Sequence, residues 1–248
     1  MTPKCKEQQQ DKKNQPLYDL TQVVRDRLPR ELRDEIYSHV LDKSTMQAIE
    51  SKSKAGGLPE LYPDIHSMYP SMAQELITTY TSHAKHSIHI LELESYLKTP
   101  DVFGLGIRPI DVELRSIVVK VSLKYNDEHT NLEHHLSPFL DTCATHDKAR
   151  LHREHTLRID FRMGIFHWDK HIESRLIKSL RCLSKIVEQC QTRKLALDAS
   201  LTSLQWDRQE YRVDIYKPWV EMQSKGTKGR YFLDMIMEGM RREAFRKT

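Results

Sequence analysis

The apolar residues of this chain change their spacing near residue 85. Before that point they recur at helical intervals. After it they alternate, the period of a strand that buries one face and wets the other. LRSIVVKVSLKY (114–125) sets Ile117, Val119, Val121 and Leu123 against Ser116, Lys120, Ser122 and Lys124, with Val118 the exception. HTLRIDFRM (155–163) sets Leu157, Ile159, Phe161 and Met163 against Thr156, Arg158, Asp160 and Arg162. HSIHILELE (86–94) and KLALDAS (194–200) read as further strands. Between them, residues 169–190 carry Ile172, Leu176, Leu180, Leu183, Ile186, Val187 and Cys190 in one helical stripe. An aromatic-rich stretch with Trp206, Tyr211, Tyr216 and Trp219 leads to a last helix with Phe232, Met235, Ile236 and Met240 on its apolar face. This pattern predicts an α+β chain, an N-terminal helical segment followed by a mostly antiparallel sheet packed with helices on one face. The strand–helix–strand passage 155–200 has the outline of one leucine-rich-like unit, without a fixed-period repeat.

Three segments follow. Residues 1–16 are Lys, Gln, Glu and Asn with almost nothing to bury, which predicts a disordered arm. Residues 17–85 form the helical segment and 86–248 the α+β body. In the helical segment, Pro29 opens a helix over 30–41, because the first turn has no use for its missing N–H. Leu32, Ile36, Tyr37, Val40 and Leu41 cover about half of its circumference, at about 100° per residue. Glu31, Asp34, Glu35 and Ser38 cover the rest. Arg33 falls inside the apolar arc, where its stem is expected to lie across a partner surface with its head in water. Residues 42–66 read mostly as loop, broken by Gly56-Gly57, Pro59 and Pro63, with a short helix around 45–51 as an option. Pro70 starts a second helix, PSMAQELITTYTSH, with Met72, Leu76, Ile77 and Tyr80 on its apolar face.

Most chemical functions find no pattern. There is no phosphate-cradling glycine motif, no nucleophile elbow and no H-E-x-x-H among 248 residues holding only eight glycines. FGLGIRP (103–109) reads as a turn. His134, His135, Cys143, His146, His152 and His155 cluster, and His167 with His171 has i,i+4 spacing. No set of four shows metal-site spacing, so no metal or other cofactor is expected. Cys143 and His146 sit too close in sequence to resemble a fold-assembled nucleophile pair, so no catalytic residue is assigned. Asp160, between Arg158 and Arg162, reads as part of a surface charge ladder. A formal charge of +4 without aromatic interleaving does not suggest a nucleic-acid platform. No apolar run has membrane-span length. The N-terminus has no apolar core of a secretory signal, and four cysteines without C-x-x-C spacing suggest reduced thiols in cytoplasm or nucleus.

The stretch LPRELRDEIYSHVL (28–41) resembles the first helix of the F-box, and more closely the LPxELRxxIY segment of fungal F-box-like proteins. Leu28, Pro29, Glu31, Leu32, Arg33, Ile36 and Tyr37 stand where that pattern has them. LESYLKTPDVFGLGIRP (93–109) also looks like the body of those proteins. The resemblance implies a non-enzymatic adaptor. Leu28, Pro29, Leu32, Arg33, Ile36, Tyr37, Val40 and Leu41 would contact a Skp-family adaptor protein of a cullin–RING ubiquitin ligase. The body would hold a substrate protein, and 70–83 would be the module's third helix. The alternative is an intracellular structural or protein-interaction domain with no ligase link, in which the first helix is core. Burial of Leu32, Ile36 and Val40 separates the two.

Overall fold

In the computed structural model, residues 3–59, 61–124, 131–146, 155–165, 170–192, 195–204, 210–224 and 229–246 are described. The chain divides into a helical unit, 1–84 with 99–112, and a sheet unit, 85–98 with 113–248. The switch near residue 85 is therefore a real boundary, but 99–112 returns to the helical unit, which the period alone does not reveal.

The helical unit contains α1 (Pro3–Arg27), α2 (Arg30–Val40), α3 (Lys43–Lys54), the single turn α4 (Tyr62–Ile65) and α5 (Pro70–His83). The expected disordered arm is instead helical from Pro3; its Lys, Gln and Glu residues have good intrinsic helix propensity. The expected loop over 42–66 is also corrected. Asp42 caps α3, its Oδ1 accepting the Thr45 N–H at 2.7 Å. Gly56, at φ +73°, closes the far end, with the Gly57 N–H reaching the Lys52 carbonyl at 3.0 Å. Tyr37, Leu41, Ile49, Ile65, Met72, Ala73, Leu76, Ile77 and Phe103 form the core. The apolar face read on α5 is thus buried as expected, except that Tyr80 is only partly covered.

The sheet unit runs β1 (His86–His89), α6 (Leu93–Lys98), β2 (Ser116–Ser122), α7 (Leu132–His146), β3 (His155–Ile165), α8 (Lys170–Thr192), β4 (Leu195–Leu204), β5 (Glu210–Asp214), α9 (Tyr216–Ser224) and α10 (Gly229–Arg246). A helix thus takes over the second half of the expected strand 86–94. The α+β arrangement stands, a helical segment followed by a helix-packed sheet, but the expected antiparallel pairing is wrong. Strand order is β1-β2-β3-β4-β5, with the first three pairings parallel and only β4–β5 antiparallel. The connections explain this. A helix lies between each successive pair from β1 to β4, the long crossover that parallel neighbours require. Only five residues separate β4 from β5, enough for a hairpin. Strands added in one direction by right-handed crossovers place their helices on one face. The outlined strand–helix–strand unit is therefore one of three consecutive ones.

The two faces follow the register. Ile117, Leu157 and Leu197 align across the sheet, as do Val119, Ile159 and Ala199, and Val121, Phe161 and Leu201. All of these except half-buried Leu197 are buried. The glycine Gly239 of α10 comes so close to β5 that a Cβ would lie 3.3 Å from Val213 Cγ1. Val213 pairs with Leu201, so α10 also covers the apolar face.

Candidate docking surface

α1 ends where the Leu28 N–H bonds the Val24 carbonyl at 3.0 Å. Pro29 then takes an extended conformation (φ −63°, ψ 160°) ahead of α2. The helix presents two stripes one residue apart. Arg33, Tyr37 and Leu41 point inward, with Arg33 6% and Tyr37 1% exposed. Leu32, Ile36 and Val40, at i, i+4 and i+8, stay outside at 45%, 36% and 37% exposure. Leu28 is half-buried and Pro29 exposed.

A charged residue on the inward stripe needs a partner, and Glu75 of α5 supplies it. Arg33 donates from Nε to Glu75 Oε2 at 2.9 Å and from a terminal nitrogen to Oε1 at 3.0 Å, a two-pronged pair. A second terminal nitrogen donates to the Leu28 carbonyl at 2.6 Å. Tyr37 donates its hydroxyl to Glu75 Oε2 at 2.7 Å. Arg30 approaches Oε1 at 3.3 Å and Arg25 of α1 at 3.6 Å. One carboxylate thus gathers groups from α1 and α2. Burial pushes the Glu75 carboxyl up, but the hydrogen bonds from Arg33 and Tyr37 and the charges of Arg30 and Arg33 outweigh it. It sits below its ordinary value. Burial and the bond to Glu75 raise the Tyr37 phenol well above its usual range. The Glu75 hydrogen bond raises Arg33 against the opposing effect of burial.

The expectation that Arg33 keeps its head in water is therefore overturned, and Arg33, Tyr37 and Leu41 belong to the chain's own core. The exposed set is Pro29, Leu32, Ile36 and Val40. Glu75 is the residue that sequence reasoning missed. Its signal is a lone carboxylate beside Leu76 on an otherwise apolar helix face, matching the lone Arg33 in the apolar arc of α2.

The FGLGIRP turn is closed by its own carboxylate. Asp101 Oδ1 accepts the Phe103 N–H at 2.8 Å, and Oδ2 accepts the Ile107 N–H at 2.7 Å. Gly104 and Gly106 hold φ at +79° and +76°, a conformation that glycine adopts without strain. The amides that could cradle a phosphate already bond Asp101. Phe103 is delivered into the core against Tyr80, ring centroids 5.6 Å apart.

In the sheet unit, the face opposite the aligned apolar residues is a ladder of charges and hydroxyls. Arg158 Nε bonds Asp198 Oδ2 at 2.7 Å. Asp160 accepts from Arg162 at 3.0 Å, Ser200 at 3.2 Å and Thr202 at 2.5 Å, and Arg162 also reaches Glu210 at 2.9 Å. The ladder read around Asp160 extends across three strands, but the expectation that it lies at the surface is corrected, since Asp160, Ser200 and Thr202 are buried. His155 contacts Glu113 Oε1 at 2.8 Å and the Leu114 carbonyl at 3.0 Å. Exposed His171 opens α8, and the rings of His134 and His135 lie 5.7 Å apart on α7. His152 and His167 and the side chains of Cys143 and His146 lie outside the described residues. Among the described residues, no three His, Cys, Asp or Glu side chains converge as a metal site. No described helix is long and apolar enough to cross a membrane. Comparison with protein-family models, curated proteins and solved structures finds no match to this chain.

Proposed function

We propose that this chain is an F-box-like adaptor that docks on a Skp-family protein through α2 and brings a substrate protein to a cullin–RING ubiquitin ligase. The observation that carries the reading is the exposed stripe Leu32, Ile36 and Val40. Three apolar side chains at successive helical turns suit insertion into a partner groove. Arg33 and Tyr37 anchor the same helix from beneath, so the stripe is presented on a fixed support. The open polar face of the sheet, with Lys120, Arg158, Asp198 and Arg162, is the proposed substrate surface. The chain performs no bond chemistry in this reading; it raises the local concentration of a substrate beside the transferring enzyme. Its place of action is the cytoplasm or the nucleus.

The test is co-purification of the full chain with a purified Skp-family protein, wild type beside Leu32→Asp with Ile36→Asp. Both variants are checked for an unchanged circular-dichroism melt. A complex formed by wild type and lost in the folded variant supports the adaptor. A folded wild type that forms no complex leaves the interaction domain without a ligase link.

A further inference from the structure

The helical unit buries the Arg33 guanidinium of α2 against the half-buried Glu75 carboxylate of α5 while leaving three apolar side chains of α2 exposed. Hydrophobic burial alone would favour the reverse. At about 100° per residue, a roll of α2 by one residue position would exchange the stripe Arg33, Tyr37, Leu41 for the stripe Leu32, Ile36, Val40. Such a roll has to pull Arg33 off both oxygens of Glu75, break the 2.7 Å bond from the Tyr37 hydroxyl and abandon the 2.6 Å bond to the Leu28 carbonyl. It would strip the half-buried Glu75 of Arg33 and Tyr37, leaving it Arg25 of α1 at 3.6 Å, and would have to pull the buried Arg33 from its carboxylate, a costly way to break such a pair.

We infer that Glu75 is the positioning residue of the docking helix: with Arg33 and Tyr37 it selects the roll of α2 that keeps Leu32, Ile36 and Val40 outside. The network acts as a selector between two packings rather than as a source of stability, a role that buried polar groups fill in some proteins. Its consequence for partner binding rests on the adaptor reading; the selection of roll does not.

The distinguishing experiment replaces the network by apolar groups. Arg33→Met, Tyr37→Phe and Glu75→Leu are combined, in the full chain and with Ile36→Cys as a reporter. The reaction of the introduced thiol with a maleimide is followed by peptide mass, which separates it from the native cysteines. The polar network no longer favours either roll, so the thiol spends time buried. It should label about two-fold more slowly than in the Ile36→Cys protein alone, with the melting temperature held or raised. A purely structural network predicts the opposite sign, a lower melting temperature and faster labelling. That result, or an unchanged labelling rate in a folded variant, overturns the inference. Should the triple variant not fold, Arg33→Met with Glu75→Met is read the same way, since Tyr37 then keeps the Met72 sulfur, 3.0 Å from its hydroxyl. Affinity for a Skp-family protein is measured separately with Ile36 intact, and should fall about two-fold in the network variant. Slower labelling in a chain whose wild type binds no such protein would retire the adaptor and keep the positioning role.

Discussion

Glu75 and Asp160 each gather the charge of their unit, but the arginines they hold differ in burial, Arg33 buried and Arg162 partly exposed. Asp160 lies on the polar face of the sheet but is itself buried, accepting from the buried Ser200 and Thr202 hydroxyls and from a partly exposed Arg162. Glu75 lies half-buried beneath α2, and its Arg33 partner is buried. In the sheet unit, apolar residues fill one face and polar ones the other, although Asp160, Ser200 and Thr202 of the polar face are buried too. In the helical unit, the Arg33 guanidinium is inside and an apolar stripe of the same helix is outside. The side-chain alternation of a strand leaves no freedom about which residues share a face. A helix with a broad apolar arc leaves the choice open, and a residue 42 positions away makes it.

Removing the two carboxylates tests that contrast most strongly. Glu75→Ala leaves the Arg33 guanidinium buried without its charge partner and should cost about 3–5 kcal/mol in urea unfolding. Amide exchange should accelerate in α1, α2 and α5 and hold in β2 and β3. Asp160→Ala should cost less, about 1–3 kcal/mol, because Arg162 is partly exposed and keeps Glu210, so the loss is that of the acceptor of the buried Ser200 and Thr202 hydroxyls. If the Asp160 variant proved the weaker protein, the ladder would be structural core and the contrast would collapse.

Acid sharpens the same contrast. The folded Glu75 carboxyl titrates below its ordinary value of 4.5. Its contribution is therefore fully present above that pH and is lost as pH falls through the lower, folded value. The unfolding midpoint of the helical unit should drop below pH 4.5, and Glu75→Gln should flatten that drop. A profile equally steep with and without Glu75→Gln would place the acid sensitivity elsewhere.

The apolar faces of β2 and β3 were legible in the sequence, as was most of the stripe of α8, but the burial of Asp160 on the opposite face was not. Pairing direction was not, because one-sided alternation is the same in parallel and antiparallel strands. Only the helices between the strands decide it. Helix α7 was hidden because Leu132, Leu136, Phe139 and Leu140, all buried, are interleaved with His134, His135 and an internal Pro138. β5 was lost in the aromatic-rich stretch because five residues are too few to show a period. In α3 the signal was present but local, an Asp42 cap and a Gly56 close around a polar sequence. The seven residues of the F-box-like pattern stand together in 28–41, but the motif does not say which are core. Arg33 and Tyr37 were read as surface because Glu75 lies outside the motif.

The smallest expected effect is the most informative about α2. Leu32→Ser with Ile36→Ser exchanges two exposed apolar side chains for small polar ones. Surface changes away from caps and core stay within about 0.5 kcal/mol each, and neither side chain lies in the core of the helical unit. The urea midpoint should therefore barely move. A loss comparable with Glu75→Ala would mean that the stripe is buried in solution, and that the roll of α2 there differs from the one set by Arg33 and Tyr37. A neutral pair beside a costly Glu75→Ala would place the helix's stability on its charged side and leave its apolar side free for a partner.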